Sequence, residues 1–191
     1  EHTQLNATLL AIDEINAAGG VNGRPIEPVV RDPASNPKKF RELGEWLIGE
    51  ANVRVIFGCY MSSTRKALLP VVEARNGLLF YPTLYEGFEY SPRCIYTGSA
   101  PNQNSLPLLR YLLEEFGNRF LFVGSNYVFP YASNRVMSDL VTSANGTVLD
   151  EIYIPLEPQD MDFARLMREI RRREPDVIFS TVVGAGTAEL Y

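Results

Sequence analysis

The sequence predicts an α/β protein built as two doubly wound lobes, each a parallel sheet between layers of helices. Three observations carry that expectation. Apolar, β-branched runs of strand length recur at 53–57, 78–80, 120–124 and 177–181. Between them lie segments whose apolar residues fall three and four apart, the period of a helix that buries one face. The runs are near-continuous, which is how strands read when helices cover both faces of a parallel sheet.

Leu5, Leu9, Ile12 and Ile15 set out an opening helix, and Gly19 and Gly20 stop it. A short strand is expected at 26–30. The turn-rich stretch 32–37 follows, with Asn36 placed to cap a helix and Pro37 suited to its first position. Phe40, Leu43, Leu47 and Ile48 form the buried stripe of that helix. The strand at 53–57 leads through 58–62 into a helix carrying Leu68, Leu69 and Val72. A strand at 78–80, a polar and aromatic loop at 81–92 and a strand at 95–97 come next, and Pro101 opens a helix with Leu106, Leu109, Leu113 and Phe116 on its inner side.

At Arg119 the series restarts: strand 120–124, helix 133–144, strand 148–154, helix 163–172, strand 177–181. The expected boundary therefore separates a lobe at 1–117 from a second at 118–191. A chain that opens on a helix lacks the first strand of its first sheet, and the second lobe stops after two βα units and one more strand. The sequence reads as a two-lobed protein truncated at both ends.

Composition excludes several functions. The 191 residues carry a net charge of -5, with Lys and Arg scattered among the acids, which argues against direct binding to nucleic acid or an anionic membrane. The longest basic run, Arg171 to Arg173, lies between Glu169 and Glu174 and reads as a solvated helix end. No apolar segment approaches the roughly 20 residues that cross a bilayer. No signal-peptide pattern stands at the start, which leaves the compartment open. Cys59 and Cys94, the only cysteines, read as small buried hydrophobes, and His2 is the only histidine. The commonest general base and metal ligand are thus nearly missing. Neither GxGxxG nor GxxxxGK[ST] occurs, so no cofactor and no metal are expected.

In open α/β sheets ligands bind beyond the carboxyl ends of the strands. The corresponding loops here are 59–62, 81–85, 98–101, 125–129 and 182–184, and they supply tyrosines, hydroxyls and small residues with few charges. That inventory suits a small neutral polar molecule. Arg65 is either a counter-charge for a ligand or a solvated or salt-bridged side chain one turn into its helix. Ser62 and Ser63 stand where a helix is capped, and Ser62 would also face a cleft. Cys59 with Lys66 and Glu73 or Glu86 contains the residue types of a thiol amidase, but nothing in their spacing assembles them. The chain reads as a binder, not an enzyme.

The segment AAGGVNGRPI at 17–26 resembles the stretch after the first helix of type I periplasmic-binding-protein-like receptors. Three further stretches, GCYMSSTRKA at 58–67, YPTLYEGFEYSP at 81–92 and STVVGAGTAELY at 180–191, resemble the amide sensors that negatively regulate aliphatic amidase operons. GSAPNQ at 98–103 is shared with the urea and short-chain-amide binding proteins of ABC transporters. The resemblance implies a two-lobed clamp with an amide pocket at Tyr60, Ser62, Tyr81, Thr83 and Tyr127, in which Ser62 and Thr83 hydrogen-bond the amide and the tyrosines close over it. The sequence departs from that pattern at Phe129, where a tyrosine is expected, and at Leu84, where a proline is expected; both bear on acyl length.

The resemblance further implies a cytoplasmic, ligand-responsive regulator of amidase expression, a homodimer whose partner is an RNA-binding antiterminator. The alternative it implies is a periplasmic substrate-binding protein that delivers urea or a short amide to an ABC permease.

Overall fold

Strand pairing defines two separate parallel sheets in the computed structural model, which describes residues 2–184 and 186–190. Glu1, Ala185 and Tyr191 lie outside the described residues, the last two within the stretch 180–191 quoted above.

The opening helix α1 (His2–Ala17) ends at a glycine pair with positive φ. At Gly20 a Cβ would stand 2.1 Å from the Arg24 carbonyl oxygen, so the turn requires glycine. The strand expected at 26–30 does not form. The Asn16 side chain takes the place of a ladder: its Oδ1 accepts from the Ile26 N–H at 2.7 Å and its Nδ2 donates to the Ile26 carbonyl at 2.9 Å. Val29 and Val30 pair with no strand and stay exposed. Asn36 caps α2 (Pro37–Gly49) as expected, accepting from the Lys38 N–H at 2.9 Å.

Strand β1 (Val55–Phe57) leads to α3 (Ser62–Ala74), β2 (Leu78–Tyr81) and β3 (Cys94–Tyr96), and the strands pair in parallel in the order β1-β2-β3. Leu79, Tyr81 and Cys94 bury one face against Ile48 of α2 and Leu68, Leu69 and Val72 of α3. Each fully buried aliphatic side chain there contributes roughly 1.5–3 kcal/mol. The opposite face departs from the expected double cover. Phe57 stacks on Phe80 with ring centroids 4.7 Å apart yet remains 58% exposed, and Val55 and Ile95 are also open. Helix α1 buries no residue fully.

The second sheet meets the expectation. Its elements are α4 (Pro101–Glu115), β4 (Arg119–Ser125), α5 (Val128–Ser143), β5 (Thr147–Ile154), α6 (Asp160–Arg173), β6 (Val177–Thr181) and α7 (Gly186–Leu190), with strand order β5-β4-β6. Phe120 and Phe122 of central β4 point to one side, against Leu109 of α4 and Met137 and Val141 of α5. Leu121 and Val123 point to the other, against Leu166 of α6. Alternate side chains of one strand thus build both cores. Helix α5 starts five residues before the expected Ser133, because Pro130 falls in its first turn, where a missing N–H costs no helical bond. At the end of α6 the basic run bonds to carboxylates, Arg172 to Glu169 and Arg173 to Glu169 and Asp150. Cations there also suit the negative end of the helix.

Packing divides the chain differently from the boundary expected at 117/118. The first unit comprises 1–85 and 89–98; the second comprises 86–88 and 99–191. The reason is α4: Leu109, Leu112 and Leu113 pack with Phe120, Phe122 and Met137, so this helix belongs to the core of the second unit although it precedes β4 in sequence.

Candidate functional site

The carboxyl ends of the strands carry the side chains singled out above. Beyond β1 the chain turns through Cys59, which holds a positive φ of 64°, and enters α3 with Met61 as the N-cap. Ser62 is the first helical residue and not the N-cap. The cap residue is Met61, whose side chain makes no capping bond. Its carbonyl accepts instead from the Thr64 and Arg65 N–H groups, both at 3.1 Å, and from the Thr64 hydroxyl at 2.7 Å. Ser62 is buried at the positive end of the helix dipole.

Tyr60 is exposed, and its carbonyl accepts from the Tyr81 hydroxyl at 3.0 Å. Tyr81, the last residue of β2, is itself buried, and its carbonyl accepts from the Thr97 N–H at 3.0 Å and the Thr97 hydroxyl at 3.2 Å. Half-buried Thr83 follows. Its backbone passes so close to Gly98 that a Cβ there would lie 1.9 Å from the Thr83 carbonyl oxygen. Tyr60, Ser62, Tyr81 and Thr83 thus belong to the two connections that leave adjacent strands at the carboxyl edge of the first sheet.

Tyr127 occupies the corresponding place in the second unit. It follows central β4, is half-buried, and is the N-cap of α5, again without a side-chain capping bond. Its ring centroid lies 6.2 Å from that of Phe129, and its N–H donates to the Ser125 carbonyl at 2.9 Å. In both units, then, the helix after the first strand of a βα unit begins without a side-chain cap. Helix N-termini of this kind favour electronegative ligand atoms.

Of the two readings left open for Arg65, the structure takes the salt bridge. The side chain is fully buried, and its Nε donates to Glu89 Oε1 at 2.7 Å. Glu89 also accepts from Lys66 Nζ at 2.9 Å and from the Tyr96 hydroxyl at 2.8 Å. Burial pushes the Glu89 carboxyl up, but the hydrogen bonds from Lys66, Arg65 and Tyr96 outweigh it and hold the group below the ordinary carboxylate range. Burial, and then the bond to Glu89, raise the Tyr96 phenol.

Members of the thiol-amidase set are engaged in other contacts. Cys59 packs in the apolar core, Lys66 is engaged by Glu89, and Glu73 accepts from the Ser91 hydroxyl at 2.6 Å. Among the described residues, no group of three His, Cys, Asp or Glu side chains could hold a metal ion, and no helix is long and apolar enough to cross a membrane.

Sequence reasoning missed two polar networks. The Arg65–Glu89 knot joins residues from a helix and a loop that no spacing rule connects. In the second unit, fully buried Asn134 of α5 accepts from the Thr181 hydroxyl at 3.0 Å and donates to the Tyr153 hydroxyl at 3.2 Å. Tyr153 in turn donates to Glu151 at 2.7 Å; burial, and then that bond, push its phenol up. Asn134 lies on the inner face of a helix among apolar positions, and that buried polar placement was the available signal.

Residues 1–191 match the family described as Periplasmic binding protein domain. The Leu/Ile/Val-binding protein BraC3 of Rhizobium johnstonii is 22% identical over 178 residues, 91% of this chain and 48% of that protein. The chain thus spans about half the length of that curated relative. Among solved structures, the ABC-transporter solute-binding protein of Rhodopseudomonas palustris BisB5 in complex with 3,4-dihydroxybenzoic acid superposes with a TM-score of 0.81 at 19% identity, covering 99% of this chain and 52% of that one. A periplasmic binding protein of Burkholderia mallei gives 0.78 at 18% identity, covering 95% and 50%. With its two parallel α/β sheets and a match along its full length, the chain belongs to the periplasmic binding protein family and carries the type I fold.

Proposed function

We propose that the chain is the solute-capturing part of an ABC-transporter binding protein working in the periplasm. Its solute would be a small neutral molecule with an amide or urea group, held by Tyr60, Ser62, Tyr81, Thr83 and Tyr127. One observation carries the choice of a neutral solute: Arg65, the cation nearest the candidate positions in sequence, is buried against Glu89, and the candidate side chains are hydroxyls and aromatic rings. An uncharged amide matches such a lining, because hydroxyls and helix N–H groups can bond its oxygen without a buried counter-ion. Tyr81 lines the site instead of donating to solute, since its hydroxyl bonds the Tyr60 carbonyl. Ser62 and Thr83 supply the hydrogen bonds, and Tyr127 adds an aromatic face.

Bound solute would bias the protein toward a closed form only through its higher affinity for that form. That form would then be the one a membrane permease receives. The transport role is preferred over amidase regulation because solved structures similar to this chain along most of its length are named as solute-binding proteins of ABC transporters. The stretches at 58–67 and 81–92 favour a second reading, a dimeric amide sensor that restrains an RNA-binding antiterminator.

A thermal-shift screen of the full-length protein tests the ligand class, because a solute selective for the native state raises its melting temperature. Acetamide, propionamide, butyramide and urea should raise it; leucine and 3,4-dihydroxybenzoate should not. A shift with the charged compounds alone would refute the neutral-solute proposal. Copurification with a permease or with an RNA-binding protein separates the two roles.

A further inference from the structure

We infer that Arg65 is a positioning residue for the loop that carries Thr83, an inference that rests on the proposed reading of Thr83 as a solute contact. The buried guanidinium lies 4.5 Å from the ring centroid of Tyr81, 5.3 Å from Tyr85 and 5.7 Å from Tyr96. Two of those rings bracket Thr83 in sequence, Tyr81 two residues before it and Tyr85 two residues after.

The far end of the loop is tied to the same group. Arg65 holds Glu89 through its carboxylate, and the Tyr85 hydroxyl holds Glu89 through its backbone, accepting from the N–H at 2.8 Å and donating to the carbonyl. The Tyr85 ring rests against Tyr96 of β3, with centroids 4.2 Å apart. Opposite this knot, the Thr83 backbone lies against Gly98. One guanidinium therefore organises the residues on both sides of Thr83. The chain also leaves the first unit after Tyr85 and re-enters it at Glu89, so both of those junctions end in the knot.

The chemistry calls for arginine. A planar guanidinium can stack on rings and still direct an N–H in its own plane at a carboxylate, whereas an ammonium is a compact, strongly hydrated point charge with no plane to lay against them. A solvated arginine would tolerate replacement, and a solute-binding one would need an accessible head group. Arg65 is fully buried.

The test uses the full-length protein with Arg65→Lys, Tyr85→Phe and, as a core control, Val72→Ala. Hydrogen exchange at 82–90 is compared with exchange in β2, and acetamide affinity is measured by calorimetry. Arg65→Lys and Tyr85→Phe should speed exchange at 82–90 by about tenfold while β2 stays protected. They should also weaken acetamide binding by about fivefold through lost preorganisation. Val72→Ala should lower the melting temperature without either effect. Unchanged exchange at 82–90 in both loop variants, or faster exchange spread evenly through the unit, would overturn the inference. If wild-type protein does not bind acetamide, the neutral-solute reading falls, and the exchange measurement still decides the positioning role.

Discussion

Arg65 Nε lies 2.7 Å from Glu89 Oε1, across 24 residues of sequence, with the arginine fully buried and the carboxylate shared with Lys66 and Tyr96. Removing one member of a buried pair costs more than the pair contributes, because the survivor keeps its desolvation cost. Arg65→Met should lower unfolding free energy by about 3 kcal/mol, the low end of the usual range for such a break because Lys66 still faces Glu89. Urea denaturation measures it, and a change under about 1 kcal/mol would mean that the knot is a surface ion pair in energetic terms.

The same carboxylate ties stability to pH. Its folded-state value lies below the ordinary 4.5, so on acidification the unfolded chain binds the proton first. The stabilisation is complete above the ordinary value and is lost as pH falls through the lower folded one. Comparing urea midpoints of wild type and Glu89→Gln from about pH 7 to about pH 3 should show the wild-type advantage shrinking on the acid side. A constant gap across that range would contradict the assignment.

Thr83→Val keeps the shape of the side chain and removes its hydroxyl. If that hydroxyl bonds the solute oxygen, affinity for acetamide should fall by about 1 to 3 kcal/mol, the cost of an unpaired buried polar partner. The wild-type constant is itself bounded. A ligand of about four heavy atoms gains at most about 6 kcal/mol, so calorimetry should give a dissociation constant no tighter than tens of micromolar.

Gly98→Ala acts on the same residue from outside. A Cβ 1.9 Å from the Thr83 carbonyl oxygen cannot be absorbed by a rotamer change, because the obstacle is backbone. The 83–84 segment must move, and overpacking of this kind costs about 1–3 kcal/mol. Acetamide binding should weaken more than in Thr83→Val, while far-ultraviolet circular dichroism stays unchanged. Wild-type affinity in Gly98→Ala would show that the position of Thr83 does not govern binding.

What the sequence disclosed follows the range of the forces involved. The strands of the second unit and the Asn36-Pro37 start of α2 were legible because periodicity, capping and proline geometry act within a few residues. The segment 26–30 misled because a β-branched run looks the same whether a strand or the Asn16 side chain satisfies its backbone. Helix α4 was placed in the wrong unit because chain order does not say which core Leu109 enters. At the candidate site, residue types and strand-end positions could be read in advance. The N-cap position itself was off by one residue, since Met61 and not Ser62 precedes the helix. The Arg65–Glu89 pairing lay out of reach, because only the folded chain brings α3 against that loop.

Gly44 sets two effects against each other. In an exposed helix, replacing glycine by alanine stabilises by about 1 kcal/mol. Here α2 crosses α3 at this point, and a Cβ on Gly44 would lie 2.2 Å from Leu68 Cδ1. Leu68 is buried in the core with Val72 and Leu79, so its side chain has little room to withdraw. The overpacking cost of about 1–3 kcal/mol should therefore win, and Gly44→Ala should lower the melting temperature. Trimming the obstacle separates the two terms. On a Leu68→Val background the Gly44→Ala substitution should cost much less, a positive coupling in the double-mutant cycle. Equal costs on both backgrounds would mean that the helices move apart and that the close approach at Gly44 does not hold α2 to α3.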